Sequence, residues 1–251
     1  MNKLYEVTSE IYVPFDNGVL WTCTSGPKDG EPVLLCNGGP GCCDYLVPVA
    51  EMLADKRVIR FEQRGCGRST ADGKYDLLTA IEDMERVRRY YGVEHWIVGG
   101  HSWGANLALA YAMTYPSRAA ALLYIAGNGI HNDRSWSEEY HRNRDTRGEK
   151  MPKMAYAGNA EVNAMGNESL RAFGHAPDFY ARVSRLTLPA LFVFAEHDIR
   201  PAWPAAQLCA LMPNAQAVTI PGAAHYLWLD NSEGLKKAFV EFIENLQETT
   251  P

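Results

Sequence analysis

The run Ile97-Val98-Gly99-Gly100-His101-Ser102-Trp103-Gly104-Ala105-Asn106-Leu107-Ala108-Leu109-Ala110-Tyr111-Ala112 passes from an apolar β-type segment, through a glycine-flanked turn, into a Leu/Ala-rich helical segment. Its centre, Gly100 to Gly104, reads G-x-S-x-G. A serine where a strand turns sharply into a helix sits on strained backbone, so the positions two before and two after it must be small enough to let neighbouring main chain approach. The helix that starts there turns its unpaired N–H groups and positive dipole end toward the serine, which suits an oxygen that gains negative charge. The pattern predicts a nucleophile, Ser102, at the carboxyl end of a sheet strand.

Outward from this turn, β-rich runs at Ile11 to Val13, Val19 to Cys23, Val33 to Cys36 and Val58 to Phe61 are separated by the turn signals Asp16-Asn17-Gly18 and Lys28-Asp29-Gly30. Over Asp76 to Tyr91 the period becomes helical, with Leu77, Ala80, Ile81, Met84 and Val87 on one stripe. A strand at Trp96 to Gly99, a helix at Ala105 to Thr114 and a strand at Ala120 to Ile125 complete a βαβ alternation, the sign of a parallel sheet. The alternation stops over 128–185, where periodicity is weak and Asn, Arg, Glu, Met and Gly prevail. It resumes with a strand at Leu188 to Ala195, a helix at Ala202 to Met212, a strand at Ala217 to Ile220 and a terminal helix at Ser232 to Leu246. The expected architecture is one α/β domain with a mostly parallel central sheet flanked by helices. Its core is 1–127 and 186–251, and 128–185 forms a small inserted helical lid.

The chain has 251 residues, 47% hydrophobic and 22% charged, a composition that supports a sizeable single core. Its formal net charge of -6, with Lys and Arg scattered, gives no basis for nucleic-acid or membrane partners. Even the densest basic stretch, 138–153, mixes Arg142, Arg144 and Arg147 with acids and reads as a solvated face. The opening MNKLYEVTSEIYVPFDNG has no long apolar run or small-residue cleavage site, so a cytoplasmic location is expected. Cys23, Cys36, Cys42, Cys43, Cys66 and Cys209 show no CxxC spacing and are expected as reduced, mostly buried thiols. Adjacent Cys42 and Cys43 lack partners at ligand spacing, so no metal and no cofactor is expected. Oligomeric state is not legible.

A serine hydroxyl needs a general base, and the base needs a third group to fix its tautomer. With the nucleophile first in the chain, the order Ser, acid, His is met by Asp198, after the strand ending at Ala195, and His225, after the strand ending at Ile220. Both sit at carboxyl ends of predicted strands, where an open parallel sheet gathers its ligands. Glu196 competes as the acid, but the run Ala195 to Pro201 favours Asp198. Among the histidines, His101 is fixed beside the serine, His131, His141 and His175 fall in or near the lid, and His95 and His197 lack a matching loop. Only His225 stands on a loop after the last strand. Asn37-Gly38-Gly39-Pro40-Gly41 follows an early strand, and its glycines let N–H groups face a substrate oxygen; Gly39 and Trp103 are the expected oxyanion donors.

Together, GGPG at Gly38 to Gly41, EQRGCGRS at Glu62 to Ser69, GHSWGANLALAYA at Gly100 to Ala112 and the late Asp and His resemble the proline iminopeptidase branch of the α/β-hydrolase superfamily. The resemblance implies the α/β-hydrolase fold, a triad of Ser102, Asp198 and His225, and an oxyanion hole from Gly39 and Trp103. It departs at Asn37, where the family usually has His, and at Glu62, where it usually has Asp. The helical cap is also much smaller than the family's. Cap glutamates of family aminopeptidases hold a free amino group; Glu161 and Glu168 are the available acids here, with a solvated role the other reading. The expected function is a serine hydrolase acting on a small ester, amide or short peptide. The alternatives are a prolyl aminopeptidase proper and a slow or non-catalytic ligand-binding protein of the same fold. Trp136, Tyr140, Tyr156, Phe173, Phe179 and Tyr180 either line an apolar pocket or simply pack the lid.

Overall fold

The computed structural model describes residues 9–129 and 134–248; the start of the N-terminal stretch read for targeting signals, and His131, lie outside the described residues. In chain order the elements are β1 Ser9–Phe15, β2 Gly18–Ser25, β3 Pro32–Cys36, α1 Val47–Met52, β4 Arg57–Phe61, α2 Leu77–Tyr90, β5 Trp96–His101, α3 Trp103–Thr114 and β6 Ala119–Ile125. Then come α4 Arg134–Thr146, α5 Ala160–Gly174, α6 Phe179–Val183, β7 Ala190–Ala195, α7 Trp203–Leu211, β8 Ala215–Ile220 and α8 Ser232–Glu248. The strands form one sheet in the order β1-β2-β4-β3-β5-β6-β7-β8. β1 and β2 form an antiparallel hairpin, β2 lies antiparallel to β4, and every pairing from β4 to β8 is parallel. The expected α/β class and mostly parallel sheet are what the chain forms.

Alternate residues of the central strands feed two cores. Val33, Leu35, Ile97, Leu123 and Val193 face α1 and α8, whose Val49, Ala50, Leu235, Phe239 and Phe242 cover them. Leu34, Cys36, Val98, Leu122 and Phe192 face α2, α3 and α7. Both faces being covered, each strand must be apolar at every position, which is why β3 and β5 read as continuous runs rather than alternating ones. Fully burying a side chain such as Phe239 stabilises the fold by about 1.5–3 kcal/mol.

Strand order locates the crevice. The chain steps from β3 outward to β4 and then returns to β5 on the other side of β3. With right-handed crossovers, α1 therefore falls on one face and α2 on the other. The loops after β3 and β5 lie at that reversal, at the carboxyl ends of the strands, where ligands of such sheets bind. α2 is started by Asp76, whose carboxylate accepts from Thr79 N at 3.0 Å. Arg64, on the loop after β4, is bidentate to Asp83 of α2 at 2.7 and 2.8 Å and pairs with Asp72 at 2.7 Å.

Sequence periodicity missed two features. α1 is too short, at 6 residues, to show a stripe. Within 128–185, expected to be helical but with periodicity too weak to bound its helices, the described residues form α4, α5 and α6. The buried stripe of α5 is Val162, Gly166, Leu170 and Gly174, so half of it carries no hydrophobic signal. Of the aromatic residues there, Phe173 meets Phe179 edge-on at 5.8 Å within the core, whereas Tyr156 and Tyr180 are exposed. No helix among the described residues is long and apolar enough to cross a membrane.

Candidate active site

Ser102 stands between β5 and α3 with φ 58° and ψ -123°, a left-handed conformation for a non-glycine residue. The strain is held by main-chain bonds on both sides: Ser102 N donates to Ile125 O at 2.9 Å, and Ala105 N to Ser102 O at 3.0 Å. The flanking glycines are needed for contact. A Cβ on Gly100 would run into the Gly104 carbonyl, and one on Gly104 into the Cys36 carbonyl of β3. The nucleophile turn is thus pressed directly against the strand that leads into the glycine loop.

That loop reaches the serine: a Cβ on Gly38 would lie 2.8 Å from Ser102 Cβ. Gly39 has φ 124°, which only glycine adopts without strain. The Gly38 N–H donates to Tyr45 Oη at 2.7 Å and is therefore not available to a ligand. Trp103, the first residue of α3, has an N–H without an intrahelical acceptor. From above, α5 holds the loop: Asn163 Nδ2 donates to Gly39 O at 2.8 Å and Pro40 O at 2.9 Å, and Asn159 N donates to Gly41 O at 2.9 Å.

Asp198 and His225 arrive from the loops after β7 and β8, which are zipped together by Glu196 N to Ile220 O at 3.2 Å and His197 N to Ala223 O at 2.8 Å. His225 Nδ1 lies 2.6 Å from Asp198 Oδ2; the His225 side chain is buried and that of Asp198 is 9% exposed. The competing acid Glu196 points elsewhere, accepting from Gly222 N at 2.7 Å. Burial pushes the Asp198 carboxyl up, but His225 and Arg200 together outweigh it and leave it below the usual carboxylate range. The ring of His225 comes within 4.6 Å of the His101 ring, next to Ser102. The Ser102 hydroxyl makes no hydrogen bond within the described residues; such bonds commonly tighten only when substrate is bound.

Sequence reading missed four neighbours. Arg200 donates through its N–H to Asp198 Oδ1 at 2.9 Å, and its guanidinium reaches Asp198 Oδ1 at 3.3 Å and Glu149 Oε1 at 2.7 Å. Lys150 pairs with Asp230 at 2.7 Å, and Asp230 accepts from Ala224 N at 3.1 Å beside His225. The signal for Arg200 and Glu149 is absent from the sequence because they meet across 51 residues. Glu149, Asp198 and His225 bring possible metal-ligand atoms within 4.8 Å of one another. Arg200 already supplies the cation between the two carboxylates, and Nδ1 of His225 is engaged with Asp198, so this donor set does not fit a metal. Cys42 and Cys43 stand in no such cluster among the described residues, and all six thiols are free.

Glu62 and Asn37, the two departures from the resembled family, are both buried and structural. Glu62 accepts from Asp44 N at 3.0 Å and Arg68 N at 2.6 Å, tying the loop after β4 to the one after β3. Asn37 Nδ2 donates to Cys42 O at 2.9 Å, closing the glycine loop on itself.

Known proteins share parts of this sequence and its fold. A sequence profile of the alpha/beta hydrolase fold matches residues 31–177. A proline iminopeptidase of Xylella fastidiosa is 37% identical over 158 residues, covering 56% of this chain and 46% of that protein. One from Lactobacillus delbrueckii subsp. lactis is 30% identical over 174 residues, 66% of this chain and 58% of that protein. The matches thus span about half the length of these curated relatives. The solved structure of a proline iminopeptidase-related protein from Thermus thermophilus superposes with a TM-score of 0.78 at 22% identity, covering 96% of this chain and 99% of that one. Since the profile match runs from just before the first parallel strand, through the turn at Ser102 and into the inserted helices, the chain belongs to the α/β hydrolase fold family, and over about half of their length it is similar to proline iminopeptidases.

Proposed function

We propose that the chain is a serine hydrolase with Ser102 as nucleophile, His225 as general base and Asp198 as the acid that orients the base. The observation that carries this is the 2.6 Å contact of His225 Nδ1 with a largely sheltered, ionised Asp198, set beside a serine held at φ 58° on a helix N-terminus. With its Nδ1 proton donated to Asp198, His225 keeps a lone pair on Nε2 for the serine proton. Ser102 Oγ attacks the acyl carbon while the Gly39 and Trp103 N–H groups receive the charge on the carbonyl oxygen. The bond to the leaving alcohol or amine then breaks, and that group departs with the proton from His225. Water, deprotonated by the same imidazole, attacks the acyl-enzyme and releases the acid, restoring Ser102.

The substrate is a small ester, amide or short peptide. Residues 128–185 act as the lid over a core of 1–127 and 186–251. The named relatives favour a prolyl aminopeptidase as the second reading, but Glu161 and Glu168 are solvent-exposed on α5 and offer no enclosed seat for an amino group. Esters are therefore the expected better substrates.

The test is a panel of 4-nitrophenyl acetate, 4-nitrophenyl butyrate and proline-4-nitroanilide, combined with fluorophosphonate labelling. Ser102→Ala is expected to abolish labelling and to lower kcat by about 10⁴-fold or more. A folded Ser102→Ala protein that turns over at the unmodified rate would overturn the assignment. Lack of labelling in the unmodified protein would support the ligand-binding alternative.

A further inference from the structure

His101 is fully buried beside the nucleophile, and the reaction above gives it no task. Its Nε2 lies 2.9 Å from His225 O, and its Nδ1 lies 2.8 Å from Tyr45 Oη. A carbonyl oxygen only accepts, so Nε2 must carry a proton and donate. Tyr45 Oη already accepts from Gly38 N–H, which leaves its own hydrogen for His101 Nδ1. Nδ1 is then an acceptor, and the imidazole is neutral in a single tautomer. Burial and the nearby His225 both hold its pKa well below the usual histidine value, in agreement. The titratable or charged groups around it are Tyr45, His225, Tyr226, Asp198 and Arg200.

The hydrogen bonds form one directed path: Gly38 N–H to Tyr45 Oη, Tyr45 O–H to His101 Nδ1, and His101 Nε2–H to the His225 carbonyl. It joins the glycine loop after β3 to the loop carrying the base through groups that are buried and uncharged, so solvent cannot replace any link cheaply. Ring packing stiffens it. Tyr45 stacks on Trp228 at 6.1 Å, and Trp228 meets His101 edge-on at 4.9 Å.

We propose that His101 and Tyr45 are positioning residues that set the distance between the oxyanion loop and the general base, with His101 acting as a permanently neutral strut rather than as an acid or base. This rests on the serine hydrolase reading, but its first test does not. In the full chain carrying ¹⁵N-labelled histidine, the His101 resonances, assigned by their loss in His101→Gln, are expected to report the neutral Nε2–H form throughout about pH 5.5–8. Titration within that range, or a proton on Nδ1, would overturn the proposal.

The second test is kinetic. Tyr45→Phe keeps the ring packing and removes both hydroxyl bonds, and is expected to lower kcat at least about tenfold with KM changed less than about twofold. His101→Gln retains one donor and one acceptor and is expected to keep several-fold more kcat than His101→Leu. Should Tyr45→Phe fail to fold, the Gln-against-Leu comparison decides. Equal kcat in Tyr45→Phe and the unmodified protein, or in His101→Gln and His101→Leu, would sink the inference. If those results came with a silent Ser102→Ala protein, the strut alone would have failed. A fully active Ser102→Ala protein would instead remove the reaction reading, leaving the tautomer result standing.

Discussion

The two halves of the candidate site are fastened by different physics. The half formed by the glycine loop and the nucleophile turn is held by close backbone contact at Gly100 and Gly104, by Asn163 on two carbonyls, and by the neutral bonds of Tyr45 and His101. The half that carries Asp198 and His225 adds charge to its main-chain bonds: Arg200 shared between Asp198 and Glu149, and Lys150 on Asp230. Neutral buried bonds are insensitive to salt and expensive to leave unmade. Ion pairs with an exposed member, such as Lys150 at 71% exposure, are screened and individually weak. The half proposed to hold the oxyanion is thus fastened for fixed geometry, and the half proposed to supply acid and base carries the more adjustable field.

Removing the central charge should break the charged half most severely. Asp198→Asn is expected to lower kcat by about 10⁴-fold, because the amide favours the wrong imidazole tautomer while the fold is retained; stopped or steady-state ester hydrolysis beside circular dichroism checks it. A smaller effect sharpens the contrast. Glu149→Gln frees the Arg200 guanidinium to compete with His225 for Asp198, and kcat is expected to fall roughly tenfold at low ionic strength. The deficit should shrink in about 0.5 M salt, whereas the Tyr45→Phe deficit should not; parallel salt titrations that coincide would erase the distinction.

The smallest effect concerns pH and stability. The native pKa of His101 lies below its ordinary value, so the unfolded chain takes up that proton first as pH falls. Its contribution is fully present above about pH 6.5 and is lost below it, by up to about 1.4 kcal/mol per pH unit until the native value is reached. Asp198, with its lowered pKa, contributes in the same sense but in a more acidic window: its stabilisation is fully present above the usual carboxylate range and is lost as pH falls through its native value. Urea unfolding of the unmodified protein and of His101→Gln should therefore run parallel above about pH 6.5 and converge below it.

The sequence disclosed those parts of the site whose demands are local. The strained turn at Ser102 was legible because it requires small residues two positions away on either side, and the pairing of Asp198 with His225 because both follow strands in the expected chain order. The apolar runs of β3, β5 and β6 gave the parallel sheet directly. What stayed hidden depends on contacts between distant segments: Tyr45 with His101 across 56 residues, Asn163 with Gly39 across 124. α5 was obscured for a different reason, since Gly166 and Gly174 occupy its buried stripe. At Gly166 a close approach to Pro40 and Trp103, rather than side-chain bulk, decides the packing.

One consequence follows from the strand order. Ser102 leaves a strand that has neighbours on both sides, but His225 leaves β8, the rim of the sheet, whose residues are mostly accessible. The proposed catalytic partners are therefore anchored at unequal depths, one in the keel and one on the gunwale. Fraying confined to that rim would carry the imidazole away while the rest of the molecule stayed intact, so loss of turnover and loss of fold need not be the same event.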